Sequence, residues 1–236
     1  MTLADASGKR IGEYVVKVFK PNNLQQVSNT GREVYGSILA AAFDLNSPKA
    51  VLANVDQGII NILNRSEKYK DFELMKGIYF ATEFIENATD YNERIARHLE
   101  TWEIETIFAF DVFIRNQDRH KRKPNLFFKD KSVYFIDHEL SFATVLMDKS
   151  FKEMLSEQQK YWEFVEIEKH DFQRKHLFLD ALRERNRLEP VEFDTFRTYL
   201  RAFDAAILDD YYKQLSDLGN EIEDYYYIKS YLTEVK

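Results

Sequence analysis

The chain has 236 residues, which is enough for one large domain or for two lobes that share a cleft. Its hydrophobic fraction of 44% and charged fraction of 31% are typical of a globular protein, and 15% aromatic residues argue against disorder. The net charge of −7, with Lys and Arg scattered along the chain, predicts no basic surface for nucleic acid or for an anionic membrane.

Cysteine is absent, which excludes disulfides, thiol catalysis and cysteine metal sites and favours a cytoplasmic location. The N-terminal residues lack the apolar core of a signal peptide, and no segment forms an uncharged apolar run of spanning length. We therefore expect neither export nor membrane insertion.

The first third of the sequence predicts mainly strands. A turn at Ser7–Arg10 separates two of them, and Thr30 and Glu33 have the spacing of a capping box for a helix that begins near Arg32. The helix is expected to end at Asn46-Ser47-Pro48. Short strands are predicted at residues 1–6, 12–20, 49–55, 58–63 and 78–85.

The period of the apolar residues changes near Asn92, where a helical spacing begins that predicts one long helix up to Phe113. Two short strands, at residues 125–128 and 133–137, flank a turn at residues 129–132. Beyond about residue 149 the pattern is helical. The sequence therefore predicts an α+β fold with a β-rich first part.

The strongest functional pattern lies in residues 110–142. Asp118 follows the long helix in a polar loop, Asn125 precedes one predicted strand, and Asp137 ends the next strand. A hairpin would bring the three side chains together. Phosphoryl transfer needs a carboxylate that orients the attacking hydroxyl and oxygen ligands for magnesium, so the pattern favours that chemistry.

This stretch resembles HipA-like kinases, especially the shorter HipA-like domain family, and is more distantly similar to phosphatidylinositol kinases. The matching positions are Asn116, Asp118, Arg119, His120, Asn125, Asp137 and His138. The resemblance implies a two-lobed protein-kinase-like fold with a small N-lobe at residues 1–86 and a helical C-lobe at residues 87–236. It places the catalytic loop at residues 116–125.

The resemblance also implies the reaction and its cofactors. ATP and Mg²⁺ would bind in the cleft, and the γ-phosphate would pass to a hydroxyl acceptor, by analogy a protein serine or threonine. Asp118, with Asn116 in the same loop, would be catalytic, while Asp137 and Asn125 would hold the metal.

The first part of the chain would contact the nucleotide. Lys17 resembles the lysine that contacts the phosphates, and Glu33 on the following helix would be its ion-pair partner. The hinge strand would offer backbone groups of Glu83, Phe84 and Ile85 to the adenine.

Two departures from the family pattern support alternatives. Lys123 stands five residues after Asp118, where the metal-binding Asn is usual, and no Gly-rich loop precedes Lys17, so the first strand and its loop are expected to be missing. One alternative is a pseudokinase or regulatory module. Another is half of a split kinase that a small partner protein completes. The resemblance leaves open a role as toxin, antitoxin, defence factor or housekeeping enzyme.

Simpler structural explanations stand beside these roles. Lys17 alternates with two valines and would face solvent on a half-buried strand, while the capping box alone would explain Glu33. Asp118 and Asp137 would simply cap turns. The basic residues 120–123 would form a solvated loop or attract an acidic substrate.

Overall fold

The computed structural model describes residues 1–19, 26–69, 74–92, 94, 99–142, 164–167, 175–219 and 225–236. Within these residues, no helix combines the length and the apolar character needed to cross a bilayer.

The first part of the chain forms a four-stranded antiparallel sheet. Its strands are β1 (Thr2–Ala4), β2 (Arg10–Val16), β3 (Ala50–Val55) and β4 (Gly77–Glu83), in the order β1-β2-β4-β3. The predicted hairpin at the start is confirmed; its strands are shorter than expected, and the register shifts between Leu3 and Ala4. Its turn uses Gly8 at φ +84°, a conformation that glycine adopts without a steric cost.

Helix α1 (Gln26–Ala42) begins well before the predicted start near Arg32. Thr30 and Glu33 consequently lie inside the helix, and each is only 1% exposed. The prediction that Glu33 caps the helix is wrong, because its carboxylate is buried and bonds to groups outside α1.

Residues 58–63, predicted as a strand, instead belong to helix α2 (Gln57–Leu63). The side chain of Asp56 accepts a hydrogen bond from the backbone N–H of Ile59 at 2.9 Å, which satisfies a free donor of the first helical turn. A short apolar run fits a strand or a helix equally well, and here the N-cap favours the helix.

The second sheet is antiparallel and has the order β5-β6-β7, formed by β5 (Thr89–Asp90), β6 (Leu126–Lys129) and β7 (Ser132–Phe135). This confirms the predicted hairpin. The long helix before it, α3 (Thr101–Phe113), begins with a capping box between Glu100 and Glu103. Part of the predicted helical segment, at residues 93 and 95–98, lies outside the described residues.

The rest of the described chain is helical, as predicted, whereas residues 143–163 lie outside the described residues. The elements are α4 (Phe164–Ile167), α5 (Leu179–Asn186), α6 (Asp194–Ala202), a 3₁₀ turn (Ala205–Leu208), α7 (Asp209–Asp217) and α8 (Tyr225–Val235).

The main core lies around α3, whose residues from Thr106 to Phe113 are all buried. The ring of Phe43, which follows α1, contacts the rings of Phe110, Phe113, Phe196 and Phe203 at centroid distances of 5.1 to 5.7 Å. The mixture of helices and two small sheets agrees with the predicted α+β class. The two lobes and their boundary at residue 86 stay a prediction.

Candidate active site

A fully buried carboxylate at the end of α3 organises the loop that follows. Asp111 accepts hydrogen bonds from Asn116 Nδ2 at 2.9 Å and from Arg119 Nε at 2.5 Å, and it lies 3.0 Å from His176 Nε2. Burial alone would raise the pKa of Asp111, but the attraction of the Arg119 guanidinium outweighs it and lowers the pKa to about 2. Asp111 is therefore ionised at neutral pH.

The same arginine holds the far end of the loop. Arg119 is 1% exposed and donates hydrogen bonds to the backbone oxygens of Pro124 and Asn125, at 3.2 and 2.7 Å. One buried ion pair thus fixes the predicted catalytic loop, residues 116–125, from inside.

Asp118 lies in this loop with its backbone and side chain both bonded. Its N–H donates to Asn116 Oδ1 at 3.1 Å, and the Asn125 amide lies 3.3 Å from its Oδ2 atom and 3.4 Å from its backbone oxygen. Lys123 Nζ contacts the same Oδ2 atom. Asn116, Asp118 and Asn125 are therefore brought together by hydrogen bonds within the loop.

Asp137 follows β7 at the other end of the hairpin. The backbone N–H of Ile136 donates to the oxygen of Asn125 at 3.2 Å, so the two ends of the hairpin meet. Asn125 and Asp137 both have left-handed backbones, with φ of +51° and +67°. Such conformations are costly for residues other than glycine and gather at sites where a side chain must be aimed.

Lys17 extends β2 by one more hydrogen bond, from its N–H to the oxygen of Phe80 at 2.9 Å. Its ammonium contacts Glu33 and Asp137 and lies 3.1 Å from Glu139 Oε2. The explanation that Lys17 is only a solvated strand residue is wrong. Burial alone would lower the pKa of Lys17, but attraction to Glu33 and Asp137 outweighs it and raises the pKa.

Helix α1 approaches the Asp137 segment closely. The second oxygen of Glu33 accepts a hydrogen bond from the backbone N–H of His138 at 3.0 Å. A Cβ atom added at Gly36 would lie only 2.3 Å from Cβ of His138, so this close packing requires glycine on α1. Glu33 therefore bonds to both Lys17 and the residue after Asp137.

A second lysine connects the two predicted acids. Lys123 Nζ contacts Asp118 and also lies 2.8 Å from Asp137 Oδ2. Burial alone would raise the pKa of Asp137, but Lys17 and Lys123 outweigh it and lower the pKa. The carboxylates of Asp118 and Asp137 thus share one ammonium as their partner.

Three carboxylates form a group that suits a hard cation. The ligand atoms of Glu33, Asp137 and Glu139 lie within 4.8 Å of one another, and carboxylate oxygens are ligands that Mg²⁺ prefers. Glu139 was not predicted from the sequence, although an acid two residues after Asp137 was a usable signal. Asn125, predicted as a metal ligand, turns its Nδ2 atom toward Asp118, 3.3 Å from Oδ2.

A cavity of about 500 Å³ opens beside these acids. Lys17, Glu33 and Asp137 line one part of it, and Glu83, Phe84 and Ile85, predicted to hold adenine, line another. Several apolar side chains complete the lining, namely Val16, Val18, Phe80, Phe127 and Phe135. An apolar slot that ends in a few charged groups is typical of small-molecule sites.

His138 also lines the cavity and is 1% exposed. Burial lowers the pKa of His138 to about 3, so the ring is neutral. Neither ring nitrogen has a hydrogen-bond partner among the described residues.

Residues 8–187 match the model of a known family, described as HipA-like kinase. The chain belongs to the HipA-like kinase family. Searches of curated proteins and of solved structures gave no match. The family match includes every predicted site residue, from Lys17 to Asp137, and also the unpredicted Glu139 and His176.

The network of Asp111 and His176 was not predicted from the sequence. A charged residue between Phe110 and Val112 on an apolar helix was the available signal, because a buried acid needs a partner. His176 does also pack, with its ring 4.8 Å from that of Phe108.

Proposed function

We propose that this HipA-like kinase binds ATP with Mg²⁺ in the cavity beside Lys17 and transfers the γ-phosphate to a protein serine or threonine hydroxyl. The observation that carries the proposal is the joining of Lys17, Asp137, Lys123 and Asp118 by consecutive ion pairs. This arrangement sets a phosphate-binding lysine, a metal-binding acid and a hydroxyl-orienting acid side by side.

Charge supports the same function. Glu33, Asp118, Asp137 and Glu139 bring four carboxylates against the two ammonium groups of Lys17 and Lys123. The excess of negative charge favours a divalent cation, which in turn offsets the charge of a triphosphate. Asp137 and Glu139 would hold the ion, which supplies electrostatic stabilisation to the transferring phosphoryl group.

Each residue then has a definite task. Lys17 aligns the phosphates, held in place by Glu33. Asp118 orients the acceptor hydroxyl, and its own direction is fixed by Asn116 and Asn125. The backbone of residues 83–85 faces the adenine, while the apolar cavity walls exclude water and strengthen these interactions.

The test is transfer of radiolabel from γ-labelled ATP, with Mg²⁺, to casein and to the chain itself. We expect Asp118→Ala and Asp137→Ala each to lower the rate by about 100-fold or more, the size typical of a lost acid–base or positioning group. Asp180→Asn is the matched control, since that carboxylate is exposed and, within the described part of the chain, forms ion pairs with Lys121 and Arg183. Labelling that survives both alanine substitutions would refute the mechanism.

A second candidate function is a nucleotide-responsive module without turnover, and the observation that favours it is the ion pair of Lys123 with both acids. Thermal unfolding with ATP and Mg²⁺ separates the alternatives. A bound nucleotide at 100 times its dissociation constant stabilises the protein by about 2.7 kcal/mol. A shift without label transfer would identify the module, and transfer would exclude it.

The split-kinase alternative is supported by apolar side chains that the first sheet exposes. Ile11, Val15 and Phe84 are 43%, 54% and 51% exposed. A small partner protein that adds strands would cover them. Copurification with the product of a neighbouring gene, and a rise in label transfer when both are mixed, would support this partner; full activity of the chain alone would rule it out.

A further inference from the structure

Lys123 is fixed in the loop before its side chain reaches the acids. Its backbone exchanges two hydrogen bonds with His120, from His120 N–H to Lys123 O at 3.1 Å and from Lys123 N–H to His120 O at 2.9 Å. These bonds close a tight turn between the two residues. The direction in which the Lys123 side chain leaves the backbone is therefore set by the loop itself.

The ammonium of Lys123 has both acids as its partners. It contacts Asp118 Oδ2 and lies 2.8 Å from Asp137 Oδ2, while the other oxygen of Asp137 contacts Lys17. An ammonium is a compact positive charge with three donors, so it can bridge two carboxylates much as a divalent ion does. The protein itself therefore supplies, as Lys123, the cation that bridges Asp118 and Asp137.

We propose that Lys123 is a built-in cation that takes the place of one of the two metal ions used by many kinases. The inference rests on the proposed function. Its consequence is that a single divalent ion binds with the nucleotide, on the side of Asp137 that faces Glu139. The Asp118 carboxylate is held by Lys123 and not by a second ion.

The geometry supports this division of the Asp137 carboxylate. Its Oδ1 atom contacts Lys17, whose ammonium also contacts Glu33 and lies 3.1 Å from Glu139 Oε2, whereas its Oδ2 atom lies 2.8 Å from Lys123 Nζ. The Nδ2 atom of Asn125 lies 3.3 Å from Asp118 Oδ2 and donates to it, so Asn125 positions this carboxylate and is not a ligand there. Removing the ammonium would therefore leave Asp118 Oδ2 and Asp137 Oδ2 to ligate a second ion, and Lys123→Asn would add an amide oxygen to them.

The test counts bound Mn²⁺ by electron paramagnetic resonance, with equal amounts of protein and the non-hydrolysable analogue AMP-PNP. We expect one ion per nucleotide for the wild type and two for Lys123→Asn. Lys121→Asn is the matched control, because it makes the same charge change in the same loop while Lys121 pairs with the exposed Asp180 at 2.8 Å. It should keep one ion.

Thermal unfolding of each variant, with and without Mn²⁺ and AMP-PNP, reports folding and nucleotide binding independently. Lys123→Ala serves as a second variant and should also bind two ions, because it leaves the two acids without their bridging cation. Two ions in the wild type, or one ion in both Lys123 variants, would overturn the role of Lys123 while the nucleotide site stands. No stabilisation of the wild type by Mn²⁺ and AMP-PNP would overturn the proposed function as well.

Discussion

Asp111 shows how a residue remote from the reacting groups controls them. It does not line the cavity, yet Asn116 and Arg119 take their positions from it, and these two residues direct Asp118 and Asn125. Because the ion pair with Arg119 is fully buried, loss of either charge leaves the other without compensation.

This network predicts a specific acid sensitivity. The folded-state pKa of Asp111, about 2, lies below its ordinary value of 3.8, so its stabilising effect is complete above pH 4 and is lost toward pH 2. Asp111→Asn should lower the free energy of unfolding by about 3 to 5 kcal/mol at pH 7. Urea titrations should find this difference smaller by about 1 kcal/mol at pH 3 than at pH 5.

The control for this prediction is Asp180→Asn, which removes an exposed carboxylate. It should change the unfolding free energy by less than about 0.5 kcal/mol at pH 7. If the difference in unfolding free energy between the wild type and Asp111→Asn is the same at pH 5 and at pH 3, the lowered pKa of Asp111 is contradicted.

At the scale of elements, the hairpin of β6 and β7 sets the distance between Asn125 and Asp137. Its turn places Asp130 and Lys131 at φ of +50° and +69°, the signs that a type I′ turn requires at both central residues. Lysine adopts a left-handed backbone at a cost of about 1 to 2 kcal/mol, so this turn is not optimal for stability.

Lys131→Gly should therefore raise the free energy of unfolding by about 0.5 to 1 kcal/mol, because glycine adopts positive φ without that cost. Urea denaturation measures the change. Lys129→Gly is the control with the opposite sign, since Lys129 pairs with Ser132 within the sheet and glycine weakens strands by about 0.5 to 1 kcal/mol. Destabilisation by both substitutions would exclude a type I′ turn.

The sequence predicted those elements whose signals are local. Short apolar runs and the turn residues between them were sufficient to predict the hairpin of β6 and β7. The sequence also predicted that Asn125 and Asp137 lie at the two ends of this hairpin. The predicted start of α1 was wrong because Thr30 and Glu33 have the spacing of a capping box by coincidence. The actual role of Glu33, as partner of Lys17, depends on a residue in another element. Glu139 and His176 were missed for the same reason, since their partners are distant in sequence.

At the scale of the molecule, one core connects the helices that carry the site. Phe43 lies where the end of α1 meets α3 and α6, and it is fully buried. Its ring therefore helps to fix α1, which carries Glu33, against α3, which precedes the loop with Asp118.

Phe43→Ala should lower the free energy of unfolding by about 3 to 5 kcal/mol, through lost burial and the cavity that remains. Leu188→Ala, at a side chain that is 91% exposed, should change it by less than about 0.5 kcal/mol. Chemical denaturation followed by circular dichroism compares the two variants. Equal stability of Phe43→Ala and wild type would mean that this aromatic contact does not support the core.

The chain between the two sheets is anchored on both sides of a short link. The N–H of Phe84 donates to the oxygen of Glu13 in the first sheet, and the N–H of Tyr91 donates to the oxygen of Leu126 in the second. If one sheet rotated against the other to open or close the cavity, the backbone dihedral angles of this link would have to change. The link includes Asn87, which has a φ of +60°. Residues 83–85, which line the cavity and are proposed to face the adenine, lie at the start of this link, so occupancy of the cavity and its degree of closure would be mechanically coupled.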